Sequence, residues 1–187
     1  MVAKGGHRLL DADAVAELKR VLIVRATLIT PNLPEAEVLA GMRIVDVEAM
    51  RHAATAMLTL GPRAVLLKGG HLAGEAIVDV LATADGIEMF ESKRVNTTST
   101  HGTGCTLASA IAVGLAQGAD LVSAVAAARA YVRRALETAP GFGHGHGPIN
   151  HAHPLEDGRC SNSSPGAGEL PRFPQDRGSV SRPESRR

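Results

Sequence analysis

Tryptophan is absent from this 187-residue chain, tyrosine occurs once and phenylalanine three times. Any core must therefore be aliphatic, built on Ala, Val, Leu and Ile. An excess of one charge is missing too: 20 Lys and Arg against 19 Asp and Glu leave a formal charge of +1. No basic block suggests nucleic acid or an anionic membrane surface, so small-molecule chemistry is the function class that remains. Cysteine is scarce. Cys105 lies in an ordered-looking motif and Cys160 in a polar tail, a pattern that argues against a disulfide and fits a reducing cytosol. No apolar run reaches membrane-spanning length, and Met1-Val2-Ala3-Lys4-Gly5-Gly6 lacks the features of a signal peptide, so a soluble, cytoplasmic protein is expected.

What is present is enough for one core, with 44% hydrophobic residues in a chain of single-domain length. From about Leu155 the composition turns to Ser, Pro, Gly, Arg and Glu with almost no apolar periodicity. Residues 1–153 are expected to form the domain and 154–187 a disordered tail. Along the domain, Asp11 or Asp13 caps a helix carrying Val15, Leu18 and Leu22 at helical spacing. A strand at Ala26 to Thr30 follows. Leu33 to Gly41 reads as a helix with Pro34 in its first turn and Gly41 ending it. A longer helix runs from about Val47 to Leu60. Ala64 to Leu67 is a buried-type strand leading into Lys68-Gly69-Gly70-His71. Ala76 to Ala82 and Ile87 to Phe90 suggest a β-hairpin around Ala84-Asp85-Gly86. Two helices, about Cys105 to Gln117 and Leu121 to Thr138, close the domain. Strands alternating with helices predict an α/β fold with a mostly parallel sheet, which places ligands in loops at the carboxyl ends of its strands.

One such loop is the polar run Asn96-Thr97-Thr98-Ser99-Thr100-His101-Gly102-Thr103-Gly104-Cys105-Thr106, which opens directly into an apolar helix. Gly102 and Gly104 leave the backbone free of side-chain bulk, so successive N–H groups can turn toward one anion, and the helix adds its positive end. Cys105 falls in the first turn, where a thiolate is stabilised. Neither a Walker A loop nor a dinucleotide fingerprint is present: the first has no matching string, and the second needs a glycine where Leu107 stands.

The ordered combination Thr30-Pro31-Asn32-Leu33-Pro34-Glu35-Ala36-Glu37, Leu66-Leu67-Lys68-Gly69-Gly70-His71 and Thr100-His101-Gly102-Thr103-Gly104-Cys105-Thr106 closely resembles the hydroxymethylpyrimidine and phosphomethylpyrimidine kinases of thiamine biosynthesis, in the ribokinase-like superfamily. Gly114-Leu115-Ala116-Gln117-Gly118 and Gly145-His146-Gly147-Pro148-Ile149-Asn150-His151 extend the likeness over about Met1 to His153. The resemblance implies a three-layer α/β sandwich and ATP-dependent phosphorylation of hydroxymethylpyrimidine and its monophosphate. It also implies that Gly102, Thr103, Gly104 and Cys105 form the anion hole, with Cys105 as base for the attacking hydroxyl. A free thiol has a pKa of about 8.5, and a base at this position needs the helix end and nearby cations to lower it. The plain alternative is a small residue filling a helix start.

By the same resemblance Glu35 organises Mg²⁺, through water, with Asn32 in the same loop, or else Glu35 merely favours its helix dipole. Lys68 is implied to lie near the ATP phosphates. Thr98 and Thr100 either donate hydroxyls there or belong to an ordinary polar loop. His144, His146, His151 and His153 match the family's usual chain ending, and adventitious metal affinity is the expectation for them.

Family members begin with a strand and a glycine-rich segment that help bind the pyrimidine, and these have no counterpart here. The expected fold is accordingly a ribokinase-like one with N-terminal strands missing. A buried-type strand edge would then lie unpaired, and poor solubility is expected unless another chain covers it, for instance in a homodimer. Two alternatives to kinase activity stay open: an inactive nucleotide-binding remnant, and pyridoxal kinase activity, whose substrate also bears a hydroxymethyl group on a heteroaromatic ring.

Overall fold

The computed structural model describes residues 11–156; Cys160 and nearly all of the tail expected at 154–187 lie outside the described residues. By its contacts the chain divides after His153, and the elements that build the site all belong to the first unit. Asp11 caps α1 (Ala12–Glu17), its Oδ1 accepting the Ala14 N–H at 2.8 Å. The chain continues through a π turn at Leu18–Leu22 and a 3-10 turn at Ile23–Arg25. From there Lys19 donates its ammonium to the carbonyl of Leu39 at 2.9 Å, at the end of α2 (Leu33–Ala40). Gly41 closes α2 in the left-handed region, with φ +70°. Asp46 caps α3 (Val47–Leu58), accepting the Ala49 N–H at 2.7 Å.

The sheet is built around β1 (Ala64–Leu67), all four of whose residues are buried. Burial on both faces explains the unbroken apolar run Ala64-Val65-Leu66-Leu67. On one side β1 pairs with the extended segment 26–32, through Leu66 N–H to Ile29 O (2.8 Å) and Lys68 N–H to Pro31 O (3.0 Å). That pairing is parallel, as the sequence predicts. On the other side the order is β1, β2 (Ala76–Thr83), β3 (Gly86–Lys93), and both pairings are antiparallel. The expected predominance of parallel pairing is therefore corrected for these described strands. Residues 68–75 alone join β1 to β2, whereas a parallel return needs a dozen or more residues for its crossover.

Alternation along β1 and β2 feeds two separate cores. Val65, Leu67, Val80 and Ala82 face Met50, Ala53, Ala54 and Met57 of α3 and Leu33 and Ala36 of α2. Ala64, Leu66 and Leu81 face Leu107 and Ile111 of α4 (Thr103–Ala116) and Ala124, Val125 and Ala128 of α5 (Leu121–Glu137). Helices on both sides of one sheet make the expected three-layer sandwich. Helices α4 and α5 approach closely at Gly114, where a Cβ would stand 3.1 Å from the Cβ of Ala124. Among the described residues no helix is long and apolar enough to cross a membrane.

Leu66 is fully buried beneath α4 and α5, whereas Met89 on β3 is 53% exposed. Leu66→Ala is expected to lower unfolding stability by roughly 2–5 kcal/mol and Met89→Ala by less than about 0.5 kcal/mol, measured by urea denaturation.

Candidate functional site

Three loops meet where β1 ends. The parallel bridge between Asn32 and Lys68 sets the start of α2 beside the exit of β1. At that start a capping box forms: Asn32 Oδ1 accepts the Glu35 N–H and Glu35 Oε2 accepts the Asn32 N–H, each at 2.9 Å. Glu35 thus has a structural role that the sequence reading did not specify, and its carboxylate is held in place by one oxygen.

Lys68 is half-buried, and the turn that follows it is fixed from two directions. Gly69 leaves no room for a side chain, since a Cβ there would overlap the carbonyl oxygen of Val78. Its N–H donates to Oδ1 of the buried Asp79 at 2.9 Å. Arg129 on α5 holds the other carboxylate oxygen through Nε at 2.8 Å, and its Nη2 donates to Phe90 O at 3.0 Å. From the surface Arg94 spans the rest of the loop, donating to the carbonyls of Gly70 (2.9 Å), Leu72 (2.7 Å) and Gly74 (2.9 Å). Neither Asp79 nor Arg129 emerged from the sequence. A signal existed, because a carboxylate inside the apolar run Ile77-Val78-Asp79-Val80-Leu81 requires a partner once buried.

The third loop is the start of α4. Gly102 is its N-cap at φ +84° and no side chain caps the helix. The first backbone bond runs from Thr106 N–H to Gly102 O at 2.9 Å, which leaves the amides of Thr103, Gly104 and Cys105 in the uncapped first turn. Thr103 Oγ1 donates to Thr100 O at 3.2 Å and Thr106 Oγ1 to Gly102 O at 2.9 Å, so both hydroxyls stiffen the turn. A Cβ on Gly104 would lie 3.4 Å from Lys68 Nζ, so the ammonium stands against this first turn. Cys105 is exposed. Beside it a groove of about 610 Å³ runs between α4 and α5 to Tyr131 and His151.

Asn32, Glu35, Lys68, Gly102, Thr103, Gly104 and Cys105 are therefore brought together. Thr98 and Thr100 lie in the preceding turn instead: Thr98 O accepts the Thr100 N–H at 3.0 Å, and Thr100 Oγ1 lies 3.4 Å from His146 Nδ1. The loop bearing His146 packs onto that turn, with His101 N–H donating to Gly147 O at 3.1 Å above the buried Ser99. Among the described residues no three His, Cys, Asp or Glu side chains are grouped to hold a metal. Glu35 is the carboxylate that stands with Lys68, and one carboxylate suits an ion that keeps its waters and takes its other ligands from phosphate.

Burial lowers the pKa of the Lys68 ammonium from the ordinary 10.5, while the charges of Glu35, Asp79 and Cys105 act to raise it. A partly desolvated cation facing uncapped helix amides is suited to an anion with spread charge, such as a phosphoryl group.

The model of the phosphomethylpyrimidine kinase family matches residues 1–150. The chain belongs to that family. It is 51% identical over 159 residues to the thiamine biosynthesis bifunctional protein ThiED of Geobacter sulfurreducens, covering 85% of this chain and 32% of that one. It is 44% identical over 156 residues to a hydroxymethylpyrimidine/phosphomethylpyrimidine kinase of Rhizobium meliloti, covering 82% of this chain and 59% of the relative. Among solved structures, an ADP complex of Bacillus subtilis pyridoxal kinase superposes with a TM-score of 0.73 at 35% identity, over 77% of this chain and 57% of that one. This member of the phosphomethylpyrimidine kinase family thus spans less than two thirds of each of these relatives, and its ribokinase-like α/β fold is shared with them.

Because Lys68 has a lowered pKa in the folded family member, the unfolded chain binds one proton more between that value and 10.5. The cost of burying the charged amine is fully present below the window and is relieved as pH rises through it, so stability gains with pH there. Urea melts across the alkaline range are expected to show this gain in the wild type and its loss in Lys68→Met. Parallel stability curves for the two would contradict the lowered pKa.

Proposed function

We propose that this chain carries the nucleotide-binding and phosphoryl-transfer part of a kinase that moves the γ-phosphoryl group of ATP to hydroxymethylpyrimidine and to its monophosphate. The observation that supports it most directly is the position of Lys68 Nζ against the first turn of α4, 3.4 Å from where a Gly104 Cβ would be. Phosphoryl transfer asks little covalent chemistry of a protein and much positioning and charge stabilisation. Lys68 supplies a fixed positive charge for the phosphate oxygens. The amides of Thr103, Gly104 and Cys105 donate to the oxygens of the group in flight, where negative charge is spread. Cys105 Sγ, as thiolate, takes the proton of the attacking hydroxymethyl group as its oxygen bonds to the γ-phosphorus and the bond to the ADP oxygen breaks.

Glu35, with its carboxylate pinned by Asn32, is the residue that would hold Mg²⁺, directly or through water, with Asn32 contributing from the same loop. The ion neutralises phosphate charge when bound. Thr98 and Thr100 act on this reading by shaping the turn before α4, through the bond from Thr100 N–H to Thr98 O. Residues 1–153 carry these roles, and the reaction is a cytoplasmic one. A homodimer would cover the exposed Leu22 and Val24, at 62% and 46% exposure.

One observation favours a specific alternative: the superposition on a pyridoxal kinase supports pyridoxal as acceptor. The other alternative is a chain that binds nucleotide without transferring phosphate. Assays with ATP, Mg²⁺ and either hydroxymethylpyrimidine or pyridoxal separate all three. Turnover of the pyrimidine is expected, reduced about 10²–10⁴-fold in Cys105→Ala, with the affinity for the non-hydrolysable analogue AMP-PCP kept within about twofold. Equal rates in the two proteins would remove Cys105 as base. Faster turnover of pyridoxal would reassign the acceptor, and AMP-PCP binding without any turnover would leave nucleotide binding alone.

A further inference from the structure

We infer that Asp79 is a positioning residue of this site, acting on Lys68 through the amide of Gly69 and itself held in register by Arg129. The inference rests on the reading that Lys68 contacts the ATP phosphates, and it assigns a role to a pair of side chains that the transfer chemistry does not otherwise use.

Asp79 is 7% exposed and lies in the middle of β2, among residues that face the two apolar cores. Its carboxylate is divided between two tasks. Oδ1 accepts the Gly69 N–H at 2.9 Å, and Oδ2 accepts Arg129 Nε at 2.8 Å. The guanidinium is fixed in turn by Phe90 O at 3.0 Å and Ser92 Oγ at 3.3 Å, with its Cζ 5.4 Å from the centre of the Phe90 ring. A chain of contacts therefore runs from β3 and α5 through a buried carboxylate to the peptide next to Lys68.

Gly69 gives this chain its leverage. The space beside it is closed by the Val78 carbonyl, so the peptide between Lys68 and Gly69 is held between the Val78 backbone and the Asp79 carboxylate. On the upstream side Lys68 N–H is bonded to Pro31 O at 3.0 Å. With both flanks fixed, the lysine side chain leaves the backbone from a set position and reaches Gly104. The negative charge of Asp79 also acts on Lys68, joining that of Glu35 in favouring the protonated amine. A buried ion pair is weak evidence for stability in itself, because desolvation offsets most of the attraction. A pair whose second oxygen is spent on one loop amide fits a role in orientation.

Calorimetric titration of the full chain with AMP-PCP and with AMP, in the presence of Mg²⁺, tests this. Lys68→Met is expected to weaken AMP-PCP about tenfold and AMP less than about twofold, the range of a single charge-assisted contact. Asp79→Ala is expected to give the same pattern, and the double variant no more than the single loss, because each removes the same interaction. Arg129→Lys keeps the charge but cannot hold Asp79 Oδ2 and the Phe90 carbonyl at once as Nε and Nη2 do, so it is expected to weaken AMP-PCP about threefold and carries the test if Asp79→Ala does not fold. Wild-type AMP-PCP affinity in folded Asp79→Ala or Arg129→Lys, or a double variant weakened about a hundredfold by independent losses, would overturn the positioning role. Unchanged AMP-PCP affinity in Lys68→Met would instead overturn the phosphate-site reading beneath it.

Discussion

The backbone hydrogen bonds between β1 and the extended segment 26–32 govern the geometry of the site. Leu66 N–H to Ile29 O and Lys68 N–H to Pro31 O fix a parallel register in which both chains end at the same level. Asn32 begins a helix there and Lys68 leaves the sheet there, so a carboxylate and an ammonium are delivered side by side. A slip of one residue would turn Lys68 to the opposite face and exchange the two apolar cores that Val65 and Leu66 serve. The packing of α2 and α3 against one face, and of α4 and α5 against the other, therefore sets the register that the chemistry needs.

On the proposed function, Lys68 is where stability and function pull in different directions. Its amine is held in a partly buried place that disfavours its charge, and the surrounding carboxylates restore part of what burial removes. Opposite it stands a helix start without a side-chain cap. Gly102 stands at φ +84°, a left-handed conformation that an Asp or Ser cap, which needs extended backbone, would not adopt without strain. The glycine cap leaves the amides to a ligand.

Much of this was legible in the chain because the determinants are local. Pro34 in the first turn and Gly41 at the end announce α2, and the four apolar residues of β1 announce burial on both faces. The Gly102 to Cys105 loop announces the start of α4 by its glycines and the apolar run behind it. What escaped was set by distance or by chain length. Asp79 and Arg129 are 50 residues apart, and no local pattern pairs them. Alternating strands and helices suggested a mostly parallel sheet, whereas the short link after β1 forces an antiparallel return. Thr100 carries the right chemistry for phosphate contact, yet its hydroxyl meets the Thr98 carbonyl and His146.

On the proposed function, segments far apart in sequence form one phosphate-binding centre. Titrating ¹⁵N-labelled chain with Mg²⁺ and AMP-PCP, and following backbone amide resonances, tests it most directly. The prediction is that the amides of Asn32, Lys68, Gly69 and Thr103 to Cys105 shift together along one binding curve, while those of β3 and of the exposed side of α3 stay in place. Shifts confined to one loop, or separate curves for the three loops, would contradict it.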